Sequence, residues 1–198
     1  MERPTEEKDE KRAYTAENCG ETGYGMCLTG KVIVVCQDAF PGGCGNQLYF
    51  CTGGRGAEAD PVGHMVSGVS LDNGEAARFR RSQVLGTLKP QLLPEQAKLQ
   101  LSQIRPMGAV PLQGHVPLYS GYSFLEDGRY AAGVWLCSEK EALDYVRMQI
   151  PYQHKVMLCD RDDFCVMEVV DGEMIFPTEA DLKKTREQEN GGSMELTQ

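Results

Sequence analysis

The sequence predicts an α+β protein with two small sheet-containing halves. Short runs rich in β-branched and aromatic residues are separated by turn signals, and two stretches show helical spacing of apolar residues. Residues 106–118 carry no charge and hold three prolines and two glycines, a composition typical of a connector. We expect disordered tails at 1–15 and 179–198, a glycine- and cysteine-rich α+β domain at 16–105, a linker at 106–118 and an acidic domain at 119–178.

Strand signals in the N-terminal half alternate with long glycine-rich loops. The segment Asp72-Asn73-Gly74-Glu75 is a hairpin signal, because its central residues tolerate positive φ angles. The expected strands are Lys31–Gln37, Leu48–Thr52, Met65–Leu71 and Ala76–Arg81.

One helix is expected at the end of this half. Leu93-Pro94-Glu95 places a proline and an acidic residue in the first turn, where both are favoured. Ala97, Leu101 and Ile104 form its apolar stripe, and Pro106 ends it.

The C-terminal half predicts the order ββαβββ, with one helix packed on an antiparallel sheet. Ser138 and Glu141 match a capping box, in which each side chain binds the other residue's backbone amide. The helix should end near Gln149, before Pro151, with Leu143, Val146 and Ile150 as its buried stripe. The expected strands are Tyr122–Glu126, Arg129–Trp135, Lys155–Cys159, Phe164–Val170 and Glu173–Phe176, with Asp127-Gly128, Arg161-Asp162-Asp163 and Asp171-Gly172 at the turns.

Charge narrows the classes of partner. The chain has a net charge of −9, and residues 119–178 hold eleven acidic and five basic side chains, a net charge of −6. An acidic protein repels polyanions at long range, which disfavours nucleic acid and an anionic membrane and favours a protein partner with a basic surface. The longest uninterrupted apolar run, Val32 to Cys36, is far shorter than the roughly 20 residues of a membrane-spanning helix.

The eight cysteines are expected to be reduced thiols packed as small hydrophobes. The first twelve residues contain no apolar stretch typical of a signal peptide, which favours a cytoplasmic location and disfavours disulfides. The paired spacing typical of zinc ligands is missing, so we expect neither a metal nor another cofactor. Trp135, the only tryptophan, is expected in the core.

An alternative hypothesis makes the chain a cysteine-dependent enzyme. Cys44 lies in a loop of glycines whose backbone amides could stabilise a thiolate, and His64 is a candidate base. A tight glycine turn in which Cys44 is incidental explains the same residues, and we prefer it.

A second alternative is nucleic-acid binding through Arg78, Arg80 and Arg81, the densest basic patch in the sequence. On a strand, Arg78 and Arg80 share one face, whereas a helix would group Arg78 with Arg81. No aromatic residues alternate with these arginines as they do on many nucleic-acid interfaces, and charged residues on a strand edge also prevent unwanted pairing.

Asp160, Asp162 and Asp163 are candidate ligands for a hard cation or a basic partner. They fall on an expected turn, where aspartate is favoured because its side chain caps backbone amides. We therefore interpret them as turn residues on an acidic surface.

Three segments resemble small accessory proteins carried by bacterial conjugative elements. They are Asp72 to Leu88, Gly128 to Gly133 with the helix that follows, and Lys155 to Val170. The likeness as a whole extends over about two thirds of the chain. The resemblance implies a bacterial, cytoplasmic protein auxiliary to a mobile element, and it implies no catalytic residue. The function expected from the sequence is therefore that of a non-enzymatic protein-interaction or regulatory module.

Overall fold

A computed structural model describes residues 13–21, 25–41, 45–106, 116–178 and 180–181. The chain divides into two compact units, Met1–Leu92 and Leu93–Gln198. This division lies upstream of the linker expected at 106–118, because the first helix belongs to the second unit. Most of that linker and of both expected tails lies outside the described residues.

The first unit contains a six-stranded antiparallel sheet. Its strands are β1 (Cys19–Glu21), β2 (Val32–Val35), β3 (Leu48–Gly53), β4 (Met65–Ser70), β5 (Ala76–Arg80) and β6 (Val84–Leu88). Their order across the sheet is β1-β6-β2-β3-β4-β5, so β6 lies between β1 and β2, and β5 is an edge strand. The four expected strands are confirmed with small shifts at their ends, whereas β1 and β6 were not predicted.

One hydrophobic cluster of this unit lies on one face of the sheet, while Val32, Val34 and Phe50 are buried on the other face. Strand β2 is buried along its whole length because it consists of valine and isoleucine. Ile33 and Val35 pack in this cluster with residues of the neighbouring strands, among them Tyr49, Val66 and Phe79. The rings of Tyr49 and Phe79 meet edge to face with centroids 4.7 Å apart.

The β4–β5 hairpin has the turn that the sequence predicts. The Ser70 hydroxyl accepts from the Asp72 amide at 3.2 Å, and Gly74 adopts a φ of +75°, which glycine tolerates without strain. In β5, Phe79 is buried whereas Arg78 and Arg80 are exposed. The strand interpretation of this segment is confirmed, and the helical alternative is wrong.

The second unit combines two helices with a five-stranded antiparallel sheet. Its elements are α1 (Glu95–Ser102), β7 (Tyr119–Phe124), β8 (Val134–Leu136), α2 (Glu139–Gln149), β9 (Lys155–Cys159), β10 (Cys165–Val170) and β11 (Glu173–Phe176). The strand order is β11-β10-β9-β7-β8, and α2 packs on β7, β8 and β9 while α1 packs on β7. The expected ββαβββ order and helix-on-sheet packing are confirmed.

Strand β8 is shorter than expected. The prediction began it at Arg129, but the ladder with β7 starts at Val134. Before that, Tyr130 makes an isolated bridge with Phe124. The chain therefore leaves the turn at Asp127-Gly128 without a continuous ladder.

Helix α2 begins at the predicted cap, but half of the expected capping box is replaced. The Ser138 hydroxyl accepts from the Glu141 amide at 3.1 Å. The buried Glu141 carboxylate accepts instead from the Cys137 amide at 2.8 Å and from Arg105 Nε at 2.8 Å. A carboxylate removed from water is stabilised by such charge-assisted bonds, so Arg105 ties the segment after α1 to the start of α2.

The buried face of α2 is rotated from the expected stripe. Val146 is buried as predicted, but Leu143 and Ile150 are only half-buried. The side chains that pack inward are Ala142, Tyr145, Val146, Met148 and Gln149, with Glu141 at the cap. The prediction counted only apolar residues and therefore missed the buried polar ones.

These polar groups bind the last turn of α1. Tyr145 donates to the Ser102 carbonyl at 2.8 Å, and Gln149 donates to the Leu101 carbonyl at 3.0 Å. The final carbonyls of a helix lack partners within the regular helix, and side chains from another element can satisfy them. The Leu101 carbonyl also accepts from the Ile104 amide at 3.0 Å, so Gln149 is an additional donor to it. The Tyr145 hydroxyl also lies 3.0 Å from the Ser123 hydroxyl of β7, which joins α1, α2 and the sheet.

Replacing Tyr145 with phenylalanine should change how the stability of the second unit depends on pH. Burial raises the pKa of Tyr145 to about 12, so the unfolded chain loses this proton near pH 10 while the folded chain keeps it. The stabilisation from the protonated hydroxyl is therefore complete below pH 10 and is lost as pH rises towards 12. We expect Y145F to cost about 1–2 kcal/mol at pH 8, and this difference to shrink above pH 10.

Urea unfolding of both chains at pH 8 and pH 11 measures the effect. Tyr130→Phe is the matched control, because Tyr130 is exposed and should leave the pH dependence unchanged. A Y145F deficit that is equal at both pH values would contradict the assignment.

Candidate functional site

The structure separates the three candidate arginines. Arg78 and Arg80 lie on the exposed side of edge strand β5. Arg81 follows the strand and is half-buried, and its guanidinium donates to the Gly56 and Met26 carbonyls, each at 2.9 Å. Arg81 therefore holds two loops of the first unit together, and two arginines remain on the exposed side.

The proposed catalytic pair cannot be assembled from the described residues. Cys44 lies outside them. His64 is exposed just before β4, and its backbone carbonyl accepts from the Arg81 amide at 2.7 Å.

The three candidate aspartates form the turn between β9 and β10. Asp160 Oδ1 accepts from the Asp162 amide at 2.9 Å and from the Phe164 amide at 3.0 Å. Asp163 adopts a φ of +63°, a conformation that aspartate tolerates better than most residues. Within the described ranges, no group of three or more histidine, cysteine, aspartate or glutamate side chains could hold a metal ion.

The candidate site is the face of the second sheet that points away from α2, here called the outer face. Gly121 and Ser123 lie on the opposite face, which α2 covers. A Cβ on Gly121 would lie 2.6 Å from the ring of Tyr145, and the Ser123 hydroxyl is hydrogen-bonded to the Tyr145 hydroxyl. Successive side chains of a strand point to opposite faces of the sheet, and the side chains of two directly opposed residues point to the same face. The outer face therefore carries Ser120, Tyr122, Phe124, Trp135, Lys155, Met157 and Cys159, with Tyr130 opposed to Phe124.

Aromatic side chains dominate this face. Trp135 is 61% exposed and Tyr130 is 55% exposed. The ring centroid of Tyr130 lies 4.9 Å from that of Phe124 and 6.2 Å from that of Tyr122. Aromatic rings that pack side by side yet stay accessible to water form a rigid apolar surface with little side-chain entropy to lose on binding.

The charge on the outer face is balanced at its centre and acidic at its two ends. Lys155 Nζ lies 4.6 Å above the centre of the Phe124 ring and 3.3 Å from a Glu168 carboxylate oxygen. Beyond Phe124, the chain turns through exposed Glu126 and Asp127, of which Asp127 pairs with Arg129 at 2.5 Å. Beyond Cys159, it turns through exposed Asp162 and Asp163. The aromatic strip therefore runs between two acidic turns.

Sequence reasoning missed this site because it placed Trp135 in the core, and that prediction is wrong. Val134 and Leu136 are buried while Trp135 between them is exposed, which is the alternation of a strand with one covered face. The same period in Tyr122 and Phe124 was a readable signal. That these residues share one face depends on the pairing of β7 with β8 and β9, which the local pattern does not specify.

Comparisons of the chain with protein-family models, with curated proteins and with solved structures found no match. None of the helices in the described parts of the chain has the length and apolar composition of a membrane span.

The exposure of Trp135 can be checked directly, because it is the only tryptophan of the chain. We expect its fluorescence in the native chain to be quenched by acrylamide nearly as strongly as in the urea-unfolded chain, since water reaches most of the indole. Strong protection of the native signal, as given by a buried indole, would contradict an exposed outer face.

Replacing Arg81 with alanine should destabilise the first unit by about 1–3 kcal/mol, because two backbone carbonyls lose a charged donor. Arg80→Ala is the matched control, since Arg80 is exposed one residue earlier and its loss should change stability by less than about 0.5 kcal/mol. Urea denaturation monitored by circular dichroism measures both. Equal stability of the two variants would show that the Arg81 contacts contribute nothing.

Proposed function

We propose that the second unit is a non-enzymatic protein-interaction module whose outer face binds a basic polypeptide segment. The observation that carries this proposal is the exposure of Trp135 and Tyr130 on a sheet face that also holds Tyr122, Phe124 and Met157. Exposed clusters of large apolar side chains mark interaction surfaces, because leaving them in water costs free energy that a partner recovers. Tryptophan and tyrosine are also the side chains that most often dominate binding energy at protein interfaces.

The negative charge around the outer face favours a partner with a basic surface. Residues 119–178 have a net charge of −6, and exposed carboxylates stand at both ends of the aromatic strip. Lysine and arginine side chains on either side of an apolar anchor would meet those carboxylates, which raises the association rate and favours such partners over acidic ones. A phosphate backbone would meet repulsion at the same positions, so the aromatic strip is a poor platform for nucleic acid.

The two alternatives have less support. The arginine hypothesis keeps only Arg78 and Arg80 on one surface, on an edge strand where exposed charge also prevents strand pairing. The cysteine-enzyme hypothesis depends on Cys44, which lies outside the described residues. The auxiliary role in a mobile element that the resemblance implies stays a prediction.

Selection from a random peptide display library tests the proposal. We expect the enriched peptides to combine lysine or arginine with aromatic or large aliphatic residues, and to change Trp135 fluorescence on binding because this indole lies within the contact. Tyr130→Ser keeps the tryptophan reporter and should weaken peptide binding by about tenfold or more, the effect typical of a dominant interface residue.

Val62→Ser is the control variant, since Val62 is an apolar side chain that is 85% exposed in the first unit. Its binding should equal that of the unmodified chain. Binding that is insensitive to Y130S, enrichment of acidic peptides, or a Trp135 response to single-stranded DNA instead of peptides would each refute the proposal.

A further inference from the structure

Two cysteines face each other across the β9–β10 hairpin. Cys159 of β9 and Cys165 of β10 are directly opposed in the antiparallel ladder, so their side chains point to the same side of the sheet. Both are free thiols, Cys159 buried and Cys165 half-buried. They lie at the end of the outer face next to the acidic turn.

The hydrogen bonds of the turn define the geometry of this pair. The Asp160 amide donates to the Phe164 carbonyl at 2.9 Å, and the Phe164 amide donates to the Asp160 side chain at 3.0 Å, so both bonds close the hairpin directly next to the two cysteines. The register of the ladder shifts between Cys165 and Met167, so the cysteine pair lies between the turn and this irregularity. The Cα atoms of directly opposed residues in an antiparallel pair lie about 4.5–5.5 Å apart, within the range of about 4.4–6.8 Å that a disulfide spans.

We propose that Cys159 and Cys165 form a dithiol site that a low-molecular-weight disulfide, such as oxidised glutathione, converts to an intramolecular disulfide. The reaction needs no partner protein, so it does not depend on the proposed function.

The chemistry is two successive thiol–disulfide exchanges. The Cys165 thiolate attacks one sulfur of oxidised glutathione, which forms a mixed disulfide and releases one glutathione thiolate that takes up the proton lost by Cys165. The Cys159 thiolate then attacks the Cys165 sulfur and releases the second glutathione in the same way. Two protein thiols are oxidised, and one glutathione disulfide is reduced to two thiols.

The solvent exposure of each thiol determines which cysteine reacts first, and the surroundings of the thiols determine how fast the exchange takes place. Cys165 is the more exposed of the two thiols and is therefore the first to meet the oxidant. Burial raises the pKa of both thiols, and the neighbouring carboxylates act in the same direction, Asp163 and Asp160 on Cys159 and Glu168 on Cys165. Few thiolates are then present at neutral pH, so the exchange takes place slowly and is best followed in mildly alkaline buffer.

Peptide mapping of the full chain identifies the bond. The reduced protein is incubated with oxidised glutathione, remaining thiols are alkylated under denaturing conditions, and the chain is digested with trypsin. Arg161 lies between the two cysteines, so cleavage there leaves Cys159 and Cys165 on separate peptides, residues 156–161 and 162–183. We expect these two peptides to be recovered as one disulfide-linked species, and as the main intramolecular disulfide of the native chain.

Cys165→Ser should abolish the linked species, whereas Cys36→Ser, which removes a half-buried thiol of the first unit, should leave its yield unchanged. Circular dichroism confirms that both variants fold. The proposal is overturned if native Cys159 and Cys165 stay alkylatable, if Cys159 is joined to another cysteine, or if the linked species forms equally well in the urea-unfolded chain.

Discussion

The arrangement of the second unit depends on the contact between helix α2 and the last turn of helix α1. Burying the end of a helix is costly unless its free carbonyls find donors. Tyr145 donates to the Ser102 carbonyl, and Gln149 donates to the Leu101 carbonyl in addition to the Ile104 amide. The Gln153 side chain donates to the Lys98 carbonyl at 2.9 Å. Because all three donors lie on or just after α2, satisfying them fixes this helix against α1 and, through Ser123, against the sheet.

This contact also decides which face of the sheet can bind a partner. With α2 on one side, the side chains of Val134, Leu136, Val156 and Leu158 are buried, and every second residue of the same strands must point away. The aromatic strip, the Lys155–Glu168 pair and the opposed cysteines all belong to that second set. The outer face therefore carries both the aromatic side chains of the proposed binding surface and the two sulfur atoms of the proposed dithiol site.

The sequence was informative wherever a local rule determines the structure. Gly74 and Asp163 mark turns that need positive φ angles, and Ser138 marks a helix start. Prediction from the sequence failed where the role of a residue depends on a partner that is distant along the chain. Glu141 binds Arg105 instead of closing the capping box. Arg81 does not share the exposed side of Arg78 and Arg80, because its guanidinium binds carbonyls that are distant in sequence. Trp135 is exposed although its neighbours are core residues. Strands β1 and β6 were missed because one is only three residues long and the other is interrupted by Gly86.

The α+β class, the order of the C-terminal elements and the acidic character of that half follow from the residue pattern alone, because periodicity, turn residues and charge are local or additive properties. Three other features are visible only in the folded chain: which faces are covered, which buried polar groups bind each other, and the opposition of Cys159 and Cys165. Those features depend on strand register and helix docking. A shift of one residue in register would move every side chain of a strand to the other face.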